Sequence, residues 1–135
     1  MLVLIRNKYT NHRLLFSWFV TLQTPWEGGV YKLKMEFGDF YPNFPPKCTF
    51  DPPIFHPNVH HGGYVCLSIL NVEQDWRPEM SIKEILMCIR QLLAEPNLAS
   101  PANLDAALVL DTNPDIYNEI IRDQAQNMKQ ICIDL

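Results

Sequence analysis

Residues 56–66, HPNVHHGGYVC, put three histidines and one cysteine within a single short run. Those residue types support three chemistries. A zinc site needs about four ligands in tetrahedral array, usually from paired spacings. His56 and His60 give HxxxH, but on a proline-broken stretch where that spacing does not bring two rings to one face, and no second ligand pair is visible. A Cys–His hydrolase needs an imidazole beside Cys66 and a third group to orient it. His60 or His61 is available for the first role, and the sequence names no partner for the second. Thioester exchange asks for less, because a thiolate is already a good nucleophile and leaving group. Acyl transfer to an amine then requires a donor for the oxyanion and surroundings that favour the neutral amine. Asn58, on a proline-fixed turn eight residues before Cys66, is a candidate donor. It is equally suited to bracing its own loop by bonding backbone groups.

The other three cysteines have simpler readings. Cys48 falls in a strand pattern, Cys88 inside an amphipathic helix and Cys132 near the end of the last helix, where each serves as a small apolar residue. No CxxC occurs and no secretory signal is apparent, so reduced thiols in an intracellular protein are expected. Trp18, Trp26 and Trp76 read as packing residues, Trp76 shaping the loop after Cys66.

The elements around this loop divide the chain in two. Residues 2–5 and 14–22 are rich in aliphatic and aromatic residues and bracket the polar turn KYTNH, which predicts a hairpin. In VYKLKMEF, Tyr31, Leu33, Met35 and Phe37 alternate with Lys32, Lys34 and Glu36, the pattern of a half-buried antiparallel strand. A short strand is expected at Lys47–Phe50, set within an otherwise extended, proline-rich stretch over 41–58. After Cys66 the period becomes helical. Ile82, Ile85, Leu86, Ile89, Leu92 and Leu93 form one stripe, Ser81 and Glu84 form a capping box, and Glu95-Pro96 ends the helix. A short helix follows near 103–110, and Asn113-Pro114-Asp115 starts another.

Strands followed by helices predict an α+β domain: an antiparallel meander of about four strands with helices packed on one side. The 135 residues fit a single domain, 1–135, with no repeat or linker. With 47% apolar and 19% charged residues the composition is globular. A net charge of −4 gives no general attraction to nucleic acid or anionic membrane. MLVLIR is too short to span a bilayer.

HPN at 56–58, Cys66, CLSIL, DWRP, the helix after them and the upstream YPNFPPK together resemble the ubiquitin-conjugating (UBC) fold family over about residues 14–130. TPWEGG, PPKCTF, VCLSIL, the five residues Asn71–Asp75 before Trp76, and LLAEPNL are most similar to its SUMO-conjugating branch. The resemblance implies that Cys66 takes a SUMO-type modifier as a thioester from an activating enzyme and yields it to substrate lysines. It also implies that Asn58 stabilises the oxyanion and that Ser100 and His60 lie near the incoming lysine. Ser100 stands where the branch usually has aspartate, and His60 where it has tyrosine. Lys47 matches a residue that reads an acidic substrate motif, with Thr49, Gly62 and Tyr64 replacing its usual companions. Asn43, Pro78 and Glu79 fall at ligase contacts. No cofactor is implied; ATP is used by the activating enzyme, and no phosphate-cradling glycine loop is present. The family's location in nucleus and cytoplasm and a monomeric state are the accompanying expectations.

The family's first helix has no counterpart before the opening strand, so the domain reads as N-terminally shortened, whether naturally or by truncation. In the SUMO branch that helix is basic and docks the activating enzyme. Its absence implies weak charging and an uncovered apolar sheet surface. Two alternatives stay open: a ubiquitin-conjugating enzyme of the same chemistry, and an inactive variant that binds modifiers or ligases as a scaffold.

Overall fold

The computed structural model describes residues 2–4, 12–19 and 24–133, with the side chains of 2–4, 15–19 and 131–133 excepted. Four strands form one antiparallel sheet in chain order: β1 (Leu2–Leu4), β2 (Arg13–Phe19), β3 (Val30–Glu36) and β4 (Lys47–Phe50). The meander is the one expected. Its first turn (residues 5–11), residues 20–22 of the second predicted strand, and the side chains of Trp18 and Cys132 lie outside what is described.

Alternation along β3 positions the core. Tyr31, Leu33 and Met35 are buried, while the residues between them are half-buried. Phe37 lies past the strand end and is half-buried; its N–H donates to the His12 carbonyl at 2.9 Å. Cys48 and Phe50 of β4 share the buried face, as the register Leu33↔Phe50 and Met35↔Cys48 requires. The opposite face of β3 and β4 carries Lys32, Lys34, Glu36, Lys47 and Thr49 beside Val30. On these two strands the face turned away from the core is therefore polar. Glu36 Oε1 pairs with Lys34 Nζ at 3.4 Å and Arg13 Nε at 3.6 Å, contacts that add little stability in water.

Three helices complete the domain. In α1 (Ile82–Ala94), the Glu84 N–H donates to Ser81 Oγ at 3.2 Å and the Ser81 N–H to Glu84 Oε2 at 2.7 Å, so the predicted capping box is formed. Caps of this kind stabilise a helix by about 1 kcal/mol. Ile85, Leu86, Ile89, Leu92 and Leu93 are buried against the sheet core, with Ile82 half-buried. In α2 (Leu104–Thr112), the Asn103 side chain caps the Ala106 N–H at 3.1 Å. Proline opens α3 (Pro114–Ile133), where its missing N–H costs nothing. Tyr117, Ile121, Ala125 and Met128 are the buried stripe of α3, which packs on β3.

Candidate active site

The segment carrying Cys66 is a loop tied to the sheet edge. His60 N–H donates to the Tyr64 carbonyl at 2.8 Å and Cys66 N–H to the Asn58 carbonyl at 2.9 Å, so 58–60 and 64–66 run antiparallel. Val65 N–H then donates to the Cys48 carbonyl at 2.9 Å, and Phe50 N–H to the Gly63 carbonyl at 2.8 Å, which fastens the loop to β4. Gly63 has φ +91, and a Cβ there would collide with the Phe50 carbonyl oxygen. Only glycine permits this approach without strain.

His56 and Asn58 fix the loop from beneath. His56 is fully buried, its Nε2 lies 2.9 Å from the Leu92 carbonyl of α1, and its Nδ1 lies 2.9 Å from the Asn58 N–H. A backbone N–H can only donate and a carbonyl can only accept. The ring is therefore the neutral tautomer with its proton on Nε2. Burial pushes its pKa down to about 4, which keeps it neutral near pH 7. Both ring nitrogens are occupied by protein groups, which removes His56 from any ligand set. Among the described residues no group of three or more His, Cys, Asp or Glu is placed to hold a metal.

Asn58 is 2% exposed. Its Nδ2 donates to the Asn97 carbonyl at 2.7 Å, and its Oδ1 accepts the Asn97 N–H at 2.8 Å. The amide thus braces the loop, and one Nδ2 hydrogen remains for another acceptor. Asn97 was not singled out from sequence. The helix stop at Glu95-Pro96 is the signal that marked its neighbourhood.

Above this support, Cys66 opens into a cleft of about 680 Å³ lined also by Asn58, Tyr64, Leu92, Asn97 and Ser100. The cleft lining holds no charged side chain. Burial raises the Cys66 pKa above the ordinary thiol value. A less acidic thiol is a poorer leaving group, so an acyl group on it resists premature loss. Cys48, by contrast, is 0% exposed and its thiol is pushed up to about 12, which makes it inert at neutral pH. Cys88 is half-buried on α1.

The structure brings Cys66, Asn58, Tyr64 and Ser100 to one cleft. His60 is exposed beside His61, outside the cleft lining. Lys47 is exposed with its Nζ 5.4 Å from the centre of the Tyr64 ring, a cation–π contact at the cleft edge. Asn43, Pro78 and Glu79 are exposed. Their loops are joined by Trp76, whose Nε1 donates to the Pro42 carbonyl at 3.0 Å. Asn71–Asp75 folds into a turn in which Asp75 N–H reaches the Ser68 carbonyl at 3.1 Å and Trp76 N–H the Asn71 carbonyl at 3.2 Å.

Compared with known proteins, residues 3–125 match the family model described as ubiquitin-conjugating enzyme. The chain belongs to the ubiquitin-conjugating enzyme family. Among curated relatives, it is 43% identical to the SUMO-conjugating enzyme UBC9 of Caenorhabditis elegans, over 82% of this chain and 69% of that protein. It is 48% identical to the SUMO-conjugating enzyme ubc9 of Dictyostelium discoideum, over 77% of this chain and 65% of that protein. With the SUMO-conjugating enzyme SCE1 of Arabidopsis thaliana the figures are 42%, 83% and 72%. The chain thus spans about two thirds of the length of these relatives.

Proposed function

We propose that this chain is a SUMO-conjugating enzyme whose acyl carrier is Cys66, acting as one domain over 1–135. The observation that carries the reading is a half-exposed thiol in an uncharged cleft, held on a loop braced by Asn58, in a family of conjugating enzymes. In the first step the Cys66 thiolate attacks the carbonyl of a modifier thioester on an activating enzyme. The enzyme's own thiolate leaves, and the modifier becomes esterified to Cys66. In the second step a substrate lysine amine attacks that carbonyl, the Cys66 thiolate departs, and an isopeptide bond remains. The amine's extra proton passes to water or a nearby base.

The cleft contributes by desolvation. Entering an uncharged, partly apolar groove disfavours ammonium, so a neutral, nucleophilic amine forms at lower pH than in water. Asn58's remaining Nδ2 hydrogen is the donor for the developing oxyanion, and Ser100 contacts the incoming amine. His60, exposed beyond the lining, is the weaker candidate for that neighbourhood. Lys47 and Tyr64 form the substrate edge, while Asn43, Pro78 and Glu79 meet a ligase. Partners are the modifier, an activating enzyme, a ligase and lysine-bearing proteins in nucleus and cytoplasm, and the enzyme acts as a monomer.

Incubation with activating enzyme, ATP and either a SUMO-type modifier or ubiquitin tests the reading. A reductant-sensitive adduct with the SUMO-type modifier alone is expected. An adduct with ubiquitin alone would reassign the modifier, and normal noncovalent modifier binding without any adduct would replace the enzyme with a binding module.

A further inference from the structure

The extended run 64–66 sorts its side chains by alternation. Val65 is buried at 1% exposure, while Tyr64, 37% exposed, and the half-buried Cys66 both line the cleft. Residues two apart on an extended chain leave the same face about 6.5 Å from one another. The thiol and the tyrosine ring therefore stand at the spacing of alternate side chains on an extended peptide. An acceptor segment laid extended across this face, with its lysine at Cys66, brings the residue two positions away over Tyr64.

Tyr64 is also a wall of a second hollow. Pro45, Pro46, Lys47, Tyr64 and Leu70 enclose a notch of about 330 Å³. Pro45, Tyr64 and Leu70 line the Cys66 cleft as well, so the two spaces adjoin. Lys47 carries the only charge in the notch lining. It has no ion-pair partner among the described residues, and its Nζ lies 5.4 Å from the centre of the Tyr64 ring. The neighbours supply no second cation: Thr49 is bridged to Tyr64, and Gly62 has no side chain. A carboxylate entering here would give up water against two prolines in exchange for one exposed lysine. An aromatic ring would instead pack on Tyr64 and the prolines, beside an ammonium already placed for cation–π contact.

We infer that Tyr64 sets acceptor specificity, the notch taking an aromatic side chain two residues from the acceptor lysine. The inference rests on the proposed acyl transfer and deepens it by naming a substrate feature. Recognition then differs from the acidic motif that the resemblance attaches to Lys47.

Two assays test it. In the first, the charged protein is offered short peptides with a single lysine and with phenylalanine, alanine or glutamate two residues before or after it. At one of those two positions phenylalanine should speed discharge about fivefold over alanine and glutamate. Tyr64→Phe should keep that preference and Tyr64→Ala should remove it. Lys47→Met, which retains the apolar stem, should change it by no more than about twofold. Equal rates, a faster glutamate peptide, or a preference that survives Tyr64→Ala would overturn the inference. Discharge of the wild type to free lysine, run alongside, shows acyl transfer itself, so a missing preference then counts against the notch alone. In the second, the uncharged protein is titrated with the same peptides by NMR. The phenylalanine peptide should shift the Leu70 methyl signals by its ring current, and the alanine peptide should not. No Leu70 response at millimolar peptide would overturn the inference whether or not a thioester forms.

Discussion

Asn58 and Asn97, 39 residues apart, close a ring of two hydrogen bonds in which one side-chain amide satisfies both the N–H and the carbonyl of one backbone residue. Asn58 also accepts the Cys66 N–H on its own carbonyl. One residue therefore couples the cysteine loop to the chain leaving α1, and the position of the thiol depends on both.

Replacing Asn58 should show this in stability. Asn58→Ala removes both hydrogen bonds that this buried amide makes to the Asn97 backbone and should cost about 1–3 kcal/mol. Asn58→Asp keeps an acceptor but sets an anionic oxygen against the Asn97 carbonyl, in a buried site, and should cost more at pH 7. Urea unfolding should rank wild type above alanine above aspartate. Aspartate equal to wild type would contradict the assignment of the amide.

The buried His56 ties stability to pH. Its folded pKa of about 4 lies below the ordinary 6.5, so the unfolded chain binds the proton more readily between these values. The contribution is full above pH 6.5 and is lost as pH falls to about 4. The difference is on the order of 3 kcal/mol. Wild type should lose that much more stability than His56→Leu across this window, although the variant starts less stable at pH 7. Parallel pH profiles would refute the neutral, locked ring.

Gly63 and Gly62 provide a matched pair. Gly63→Ala forces a Cβ into the Phe50 carbonyl at positive φ, whereas Gly62→Ala meets open space. The first should destabilise the protein by about 2 kcal/mol or more and change Cys66 alkylation, and the second should do neither. Thermal melts of the two variants, side by side, check this.

Much of the scaffold was legible because it is local. The alternation of Tyr31, Leu33 and Met35, the Ser81–Glu84 box and the Asn113-Pro114 start each depend on residues a few positions apart. The loop's chemistry was half legible. HPN and Cys66 announce a reactive thiol, but the partners of His56 and Asn58 are Leu92 and Asn97, 36 and 39 residues away, and no spacing rule reaches that far. Helix α2 was legible as a short helix, but LDAALVL has no apolar periodicity to mark a face, and in it only Ala106 is fully buried. His60 was placed near the acceptor by resemblance and stands outside the cleft lining, a detail set by its pairing with Tyr64.

The thiols should differ in reactivity. Burial raises Cys66, so its thiolate fraction at pH 7 falls below that of a free thiol, and alkylation should keep climbing past about pH 8.5. Cys48 should stay unmodified over that range in the native protein. Mass spectrometry of native samples across pH reads both. A plateau for Cys66 near pH 7 would contradict its burial.

The account rests on an acyl group residing on one sulfur. The most direct measurement is intact mass after charging, comparing wild type, Cys66→Ser and Cys66→Ala with and without reductant. Wild type should gain one modifier that reductant removes, Cys66→Ser an ester that reductant leaves in place, and Cys66→Ala no modifier. A reducible adduct that persists in Cys66→Ala would put the chemistry on another cysteine and contradict the account.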